Sequence, residues 1–559
     1  MATRAIDPDV FDVFVVGGGV NGCGIARDAA GRGLTVALAE RNDLASATSG
    51  ASTKLFHGGL RYLEYFEFRL VREALIEREV LLKAMPHIAW PMRFVLPYDT
   101  DMRFKGDNPT SRLLNTFMPW MKGRRPAWLI RFGLFLYDHI GGRRILPGTS
   151  VIDLTKDPAG TPLRDRFRLA YEFSDCWVDD ARLVVLNAKD AASRGARIMT
   201  RTEVIQARCV NGIWKIELAS EGLRKTVHSR ILVNAGGPWV GDIIRSTIGF
   251  NSSKSVRLVR GSHIVTRRLF HHDKCYFFQG LDGRIIFAIP YENDFTLIGT
   301  TDINHEDPSM PPVCTSSEAK YLLEFASKYF KSPLTNADIV WTYSGVRPLQ
   351  EDGAVSTSAV TRDYLLTLDD ISGAPLLSVF GGKLTTYRKL AEAALDRIAM
   401  RLGIANNPWT AGAPLPGGNF PYNGVAELID SLRSEFDFLT LAWAQRLART
   451  YGTEARHFLS GARRVEDLGE NFGATITAAE LDWTVKCEWV RCAEDFLWRR
   501  TKLGLRVEDA QIKAIDAHIY SILASSPVCT NETLANQSSG AGGDLTKAPI
   551  LKAAVNSDF

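Results

Sequence analysis

The chain has 559 residues, 45% of them hydrophobic and 23% charged, with a formal net charge of +4. That length exceeds one ordinary core and sets two or three domains as the expectation, and so mild a charge gives no electrostatic footprint for nucleic acid. Eight dispersed cysteines without a C-x-x-C pair point to neither a zinc site nor a disulfide framework and fit a reduced, cytosolic setting. Neither a signal peptide nor a bilayer-spanning helix is expected, because no apolar run is placed or long enough for either.

Residues 12–16 form a short apolar, β-branched run that reads as a buried parallel strand. It leads into Gly17-Gly18-Gly19-Val20-Asn21-Gly22, in which Gly17, Gly19 and Gly22 have the G-x-G-x-x-G spacing. The three glycines serve a tight turn, close approach of backbone to a pyrophosphate, and close packing of helix on strand. A small-residue helix follows over 24–30, its N-terminus positive and open to an anion. A second strand over 34–39 ends in Glu40, placed to accept hydrogen bonds from a ribose diol. Strand, glycines, helix, strand and acid in this order predict a dinucleotide site. FAD and NAD share an ADP half and are not separated by this stretch.

Residues 43–54 are small and rich in hydroxyls, and end in a cation. The plain alternative is a solvated loop. The position directly after Glu40 favours a loop in which Thr48, Ser49, Ser52 and Lys54 hold a pyrophosphate and run along a flavin. His57, Gly58 and Gly59 let the backbone pass a flat ligand and deliver Arg61 and Tyr62 beyond it. An amphipathic helix over 65–85 carries Arg/Glu pairs suited to a solvated face. Between 101 and 126, Arg103, Lys105, Arg112, Lys122, Arg124 and Arg125 alternate with Leu113, Leu114, Phe117, Met118, Trp120 and Met121. That mixture suits an interfacial segment near anionic lipid, or an ordinary surface insertion.

Asp179-Asp180 opens a helix to about residue 194. A strand over 197–202 then makes Val204 a candidate backbone contact to an adenine edge. Residues 231–237 are a further buried strand ending in Ala235-Gly236-Gly237. The nucleotide domain is thus assembled from separated pieces, which favours FAD over NAD. From about 256 to 343 the pattern alternates (Ile285, Phe287, Ile289) and reads as antiparallel hairpins walling a substrate chamber. His263 lies on one of its strands, and Arg347 and Arg362 follow. A strand over 376–380 leads through Gly381-Gly382-Lys383-Leu384-Thr385 into a helix to residue 402. Its positive end suits the flavin N1/C2 edge. A Pro/Gly-rich stretch at 406–418 marks a boundary. Residues 425–524 are helical in pattern, with Trp443, Trp483, Trp489 and Trp498 as core and Arg499-Arg500 as structural ion pairs; 530–559 read as a mobile tail.

The runs GGGVNGCGIARDAAGRG, ATSGASTKLFHGGLRYLE, SDCWVDDARLV, NAGGPWV, GSHIV, IGTTD, WTYSGVRPL and LLSVFGGKLTTYRKLAE occur in order across residues 10–400, and LWRRTKLGL extends them. Together they resemble the FAD-dependent, respiratory glycerol-3-phosphate dehydrogenase family. The resemblance implies FAD as cofactor and oxidation of sn-glycerol 3-phosphate to dihydroxyacetone phosphate, with the hydride going to flavin N5 and the electrons to membrane quinone. It also implies peripheral attachment to the cytoplasmic face of the membrane. By the same resemblance Arg61, Tyr62, Arg347 and Lys383 contact substrate, with Arg362 beside them, and His57 sits near the flavin. His263 is the expected base, since imidazole titrates near neutrality. Forked guanidinium groups suit the phosphate, Arg347 foremost.

The expected architecture is α/β. A discontinuous two-dinucleotide FAD domain and an antiparallel substrate region (mainly 250–343) occupy residues 1–405. An all-α C-terminal domain covers 419–526, with a tail over 527–559. No metal site is expected. The oligomeric state stays open, a homodimer included. Rival readings are a glycerol-3-phosphate oxidase using O2, another amine- or amino-acid-oxidase-like flavoenzyme, and a non-catalytic flavin-binding protein.

Overall fold

A computed structural model describes residues 10–99, 110, 126–280, 284–350, 363–405 and 407–525. The basic and apolar stretch between 101 and 125, Arg362, and the tail from 526 onward lie outside the described residues.

Two sheets carry the first 400 residues. The first has eight strands. Its parallel centre joins Val10–Val16 to Leu223–Asn234 on one side and to Val36–Ala39 on the other, with Ala374–Gly381 and Arg197–Met199 outside them. Val13, Phe14, Val15, Leu232, Val233 and Leu377 are fully buried, as strands covered on both faces must be. The register pairs Val16 with Asn234 and Asn234 with Ser378. The carboxyl ends of three strands far apart in sequence therefore meet at one edge, where open α/β sheets place ligands. A hairpin of Glu203–Val210 and Ile213–Ser220 extends Leu223–Asn234 antiparallel. The helices Val20–Gly31, Asp180–Ser193 and Tyr387–Leu402 pack through small residues, and a Cβ on Gly24 would lie 2.9 Å from the Tyr387 ring.

The second sheet has ten strands. Val256–Arg267 is its spine, antiparallel to Ile339–Gln350 on one side and to Phe295–Gly299 on the other. The hairpins expected over 256–343 are present. The sheet also recruits Leu55–Phe56, Ala89–Pro97, Ser150–Asp153 and Leu169–Val178, and Ala89–Pro97 joins Cys275–Gln279 in parallel. Aromatic rings fill the core behind it, with Phe94 stacked on Phe173 at 5.4 Å.

The C-terminal unit holds the helices Val425–Glu435, Leu441–Tyr451, Ala455–Leu459, Ala478–Glu488 and Asp509–Ser525. It departs from an all-α unit by one small hairpin, Asn471–Gly473 with Ile476–Thr477. Trp443 and Trp483 belong to its core. Trp489 instead packs on the helices of the first sheet, while Trp498 packs on a second core cluster of the C-terminal unit and also stacks on Trp341 of the second sheet at 4.2 Å. The Pro/Gly-rich stretch is a packed strap: Leu415 is 1% exposed, its N–H donates to Ala84 O at 2.8 Å, and Arg27 Nη2 donates to Ala413 O at 3.1 Å.

His87 is fully buried beneath this strap, against Gly417 and Gly418, and its ring lies 6.4 Å from that of Phe420. Burial, reinforced by Arg182 and Arg449, pushes its pKa down to about 3. Below the ordinary histidine pKa of about 6.5 the unfolded chain binds a proton that the folded chain refuses, so stability falls as pH drops from that value toward 3. The thermal midpoint should decline between pH 7 and pH 5, more shallowly in His87→Gln; an unaltered slope would remove His87 from the cause.

Candidate active site

The glycine turn has three distinct local duties. Gly17 has φ +109°, and a Cβ there would sit 2.6 Å from Ala235 O. A Cβ on Gly22 would lie 2.0 Å from Gly17 O, so only glycine lets the helix rest on the turn. A Cβ on Gly19 would meet only Ser49 Oγ, at 3.1 Å, and this position faces open space. The helix that follows has no side-chain N-cap, and Val20 N–H donates to Ser49 Oγ at 3.0 Å. Glu40 closes the turn from the next strand: its Oε2 accepts from Gly18 N–H at 2.7 Å and its Oε1 from Asn42 N–H at 2.9 Å. Burial raises the Glu40 carboxyl above its ordinary value, opposed by those two N–H groups.

Gly17, Gly18, Gly19, Val20, Glu40 and Asn42 line a cavity of about 930 Å³. The same cavity is lined by Val204, Ala235 and Gly236, by Thr48, Ser49, Ser52, His57 and Gly59, and by Arg61, Tyr62, His263, Arg347 and Gly382-Lys383-Leu384-Thr385. The glycine turn and the Gly381–Lys383 turn adjoin, since Asn21 Nδ2 donates to Gly381 O at 3.4 Å. Thr48 Oγ1 donates to Val346 O at 2.6 Å, which ties the cofactor loop to the strand that carries Arg347.

Three residues expected at the cofactor do not line the cavity: Lys54, Gly58 and Gly22, the last packed against Gly17 O. Lys54 is 1% exposed, and its Nζ meets Asp180 Oδ1 at 2.6 Å. Asp180 Oδ2 accepts from Ser52 N–H and Oγ–H, so the cation clamps the loop from behind and Ser52 alone of the pair reaches the cavity. Gly58 is glycine for packing: a Cβ there would lie 2.3 Å from Leu75 and 2.7 Å from Tyr137 OH. Its N–H donates to Tyr137 OH at 2.7 Å.

The candidate reactive groups line the same cavity. Arg61 Nη2 is buried with no hydrogen-bond partner. Lys383 Nζ sits 4.0 Å above the Tyr62 ring centroid. His263 is 1% exposed, stacked on Tyr343 at 4.6 Å, with Nε2 2.9 Å from Thr53 Oγ1 and Nδ1 buried and unpartnered. Burial first, then Arg347 and Lys54, holds its pKa well below the ordinary value, so the imidazole is neutral near pH 7. Arg347 does not point into bulk solvent: it pairs with Asp302 and donates from Nη2 to Thr300 Oγ1 at 2.9 Å. Thr53, Tyr343, Thr300 and Asp302 were not singled out from the sequence. The last two lie within IGTTD, a string whose order was informative but whose side chains carry no signal of their partners.

A cavity of about 930 Å³ lined by an open glycine turn and by a neutral imidazole, guanidinium and ammonium groups fits FAD and an anionic alcohol. The chain matches the family model of FAD dependent oxidoreductases over residues 12–388, and that of the C-terminal domain of alpha-glycerophosphate oxidase over 408–526. It is 48% identical over 507 residues to the D-erythritol 1-phosphate dehydrogenase of Brucella abortus, covering 90% of this chain and 97% of that one. It is 47% identical over 515 residues to the glycerol-3-phosphate dehydrogenase of Pseudomonas aeruginosa (92% and 96%). The aerobic glycerol-3-phosphate dehydrogenase of Escherichia coli is 47% identical over 497 residues (88% and 94%). The fold matches that of the glycerol-3-phosphate dehydrogenase from Bacillus halodurans complexed with FAD, with a TM-score of 0.68 at 24% identity, covering 92% of this chain and 95% of that one. The chain therefore belongs to the FAD-dependent oxidoreductases, in the family of the FAD-dependent glycerol-3-phosphate dehydrogenases.

Proposed function

We propose that the chain oxidises sn-glycerol 3-phosphate at C2 to dihydroxyacetone phosphate and passes the electrons to a membrane quinone. The observation that carries this is that Arg61, His263, Arg347 and Lys383 line one cavity together with the glycine turn, and that Arg61 Nη2 and His263 Nδ1 are buried there without a hydrogen-bond partner. A buried donor without a partner, as Arg61 Nη2 is, is costly, and a phosphate oxygen would accept from it. Arg61, Arg347 and Lys383 hold the phosphate. With Nε2–H donated to Thr53, His263 Nδ1 carries the lone pair that takes the C2 hydroxyl proton. The depressed pKa keeps that lone pair free at neutral pH. FAD, when bound, accepts the hydride leaving C2. The strands Val256–Arg267 and Ile339–Gln350 carry His263 and Arg347 to the cavity.

His263→Ala should lower turnover by roughly 10²–10⁴ with flavin retained; near-normal turnover would move the proton elsewhere. Arg347→Ala should chiefly raise the apparent KM. Because the Brucella abortus relative is named for a four-carbon polyol phosphate, anaerobic bleaching of the flavin should be compared for glycerol 3-phosphate, D-erythritol 1-phosphate and glycerol. Fast bleaching by the first alone is expected. Faster bleaching by the four-carbon substrate would replace the substrate assignment, and bleaching by free glycerol would defeat the phosphate subsite. Turnover that tracks O2 and yields peroxide stoichiometrically would replace quinone as acceptor.

Among the described residues no helix is long and apolar enough to cross a membrane. The helix Ala127–Ile140 offers a different contact: Trp128, Phe132 and Phe135 are 53%, 53% and 55% exposed along one face. Exposed aromatics at helical spacing suit the headgroup region. Trp128→Ser with Phe135→Ser should reduce sedimentation with anionic vesicles while leaving dye-linked turnover intact; unchanged sedimentation would dismiss this face.

A further inference from the structure

The adjacent pair Arg499-Arg500 touches neither the cavity nor the proposed substrate groups. Both guanidinium groups reach across from the C-terminal domain to one carboxylate, Asp43, which is 2% exposed. Asp43 Oδ2 accepts from Arg499 Nε and from Arg500 Nη1, each at 2.6 Å, and Oδ1 accepts from Arg500 Nη2 at 2.8 Å. A second arm runs parallel to this one. Asp495 Oδ2 accepts from Arg201 Nη2 at 2.8 Å, and the backbone N–H of Arg201 donates to Asn42 O at 2.8 Å.

Asp43 faces away from the cavity, whereas Glu40, Asn42, Ala45 and Ser49 line it. The loop they form is bonded directly to the glycine turn, by Gly18 N–H to Glu40, by Ala45 N–H to Gly18 O at 3.3 Å, and by Val20 N–H to Ser49 Oγ. Its shape is not a relaxed one: Ala45 has φ +60°, in the left-handed region that a residue with a Cβ adopts only when held there.

We infer that the C-terminal domain is a cofactor-retaining element, in which Arg499 and Arg500 act through Asp43 as positioning residues for the loop that frames FAD. The inference rests on FAD and not on the identity of the substrate. Coupling of this kind is reciprocal: bound FAD, by holding the loop, also favours docking of the C-terminal domain. With the charge-assisted bonds removed, the loop samples other shapes, and flavin affinity falls by the fraction of time it spends in them.

Arg500→Met in the full-length protein, stripped of flavin and titrated with FAD, should bind it about tenfold or more weakly than the wild type. Arg446→Met breaks a buried pair with Glu480 inside the C-terminal domain and serves as the control for general loss of stability; its FAD affinity should stay within about twofold. If Arg500→Met does not fold, Asp43→Asn keeps the shape and gives the same comparison. FAD should also slow proteolytic release of the C-terminal domain in the wild type, and less so in the variant. Wild-type affinity in the Asp43 or Arg500 variant, an equal loss in Arg446→Met, or cleavage indifferent to FAD would each overturn the assignment.

Discussion

Gly17 meets the Ala235 carbonyl at a separation no side chain tolerates. The contact exists because Val10–Val16 and Leu223–Asn234 run parallel, with Val16 opposite Asn234. Hydrogen bonding in the ladder sets that register, and burial of both faces leaves it no freedom to slip. Ala374–Gly381 joins the same ladder one strand further out. Three chain segments separated by more than a hundred residues thereby end side by side. Each then turns into backbone that carries little or no side chain. The open helix end at Val20, the Ala235-Gly236 backbone and the ammonium of Lys383 are hung from those three strand ends, while His263 and Arg347 come from the second sheet.

Between the two sheets the segment from Ser52 to Tyr62 is held from behind by buried charge. Lys54 and Asp180 pin its start, while Asp175, shared by Arg78 and Tyr137, receives Gly58 through the Tyr137 hydroxyl. Buried pairs of this kind add little net stability, because desolvation takes back most of the Coulomb gain, but breaking one partner is strongly destabilising. Their use here is geometric. With its backbone clamped at 54 and 58, the segment presents Thr53, His57 and Arg61 to the cavity in a fixed order. The cation of Lys54 contributes to the site only at a distance, as one of the charges that keep His263 neutral.

Backbone requirements were legible in the sequence, and partners were not. A glycine turn between a β-branched run and a small-residue helix has few physical explanations, so the nucleotide half was readable from residues 12–40 alone. The hairpins over 256–343 were readable because alternation is a direct record of one buried face. Strands Ala89–Pro97 and Leu169–Val178 join the same sheet but lack that record. Leu169–Val178 is buried on nearly every residue, and Ala89–Pro97 carries two prolines. In the loop over 43–54 residue type misled. Ser49 reaches the cavity, whereas Lys54 and Asp43 serve the packing behind it. The difference lies in Asp180 and in Arg499 and Arg500, far away in the chain. Trp489 went astray for the same reason, as an aromatic residue read as core of the C-terminal domain that packs on the helices of the first sheet, whereas Trp498 packs on that C-terminal core and also stacks on Trp341.

The charge balance of the proposed reactive end has a consequence for the base. Arg61, Arg347 and Lys383 crowd one cavity, and an unbalanced cluster of cations would resist desolvation. Asp302 offsets part of it by pairing with Arg347. Arg347 still depresses the imidazole of His263, as its largest charged contributor after burial, with Lys54 behind it. On the proposed function, a phosphate dianion seated on Arg347 cancels that contribution, because opposite charge near a group that gains a proton favours its charged form. The imidazole becomes a stronger base when substrate arrives and returns to a weak one when the product leaves. A histidine too buried to hold a proton at rest is thus compatible with a histidine that takes one during turnover, and the same guanidinium that binds the phosphate couples the two states.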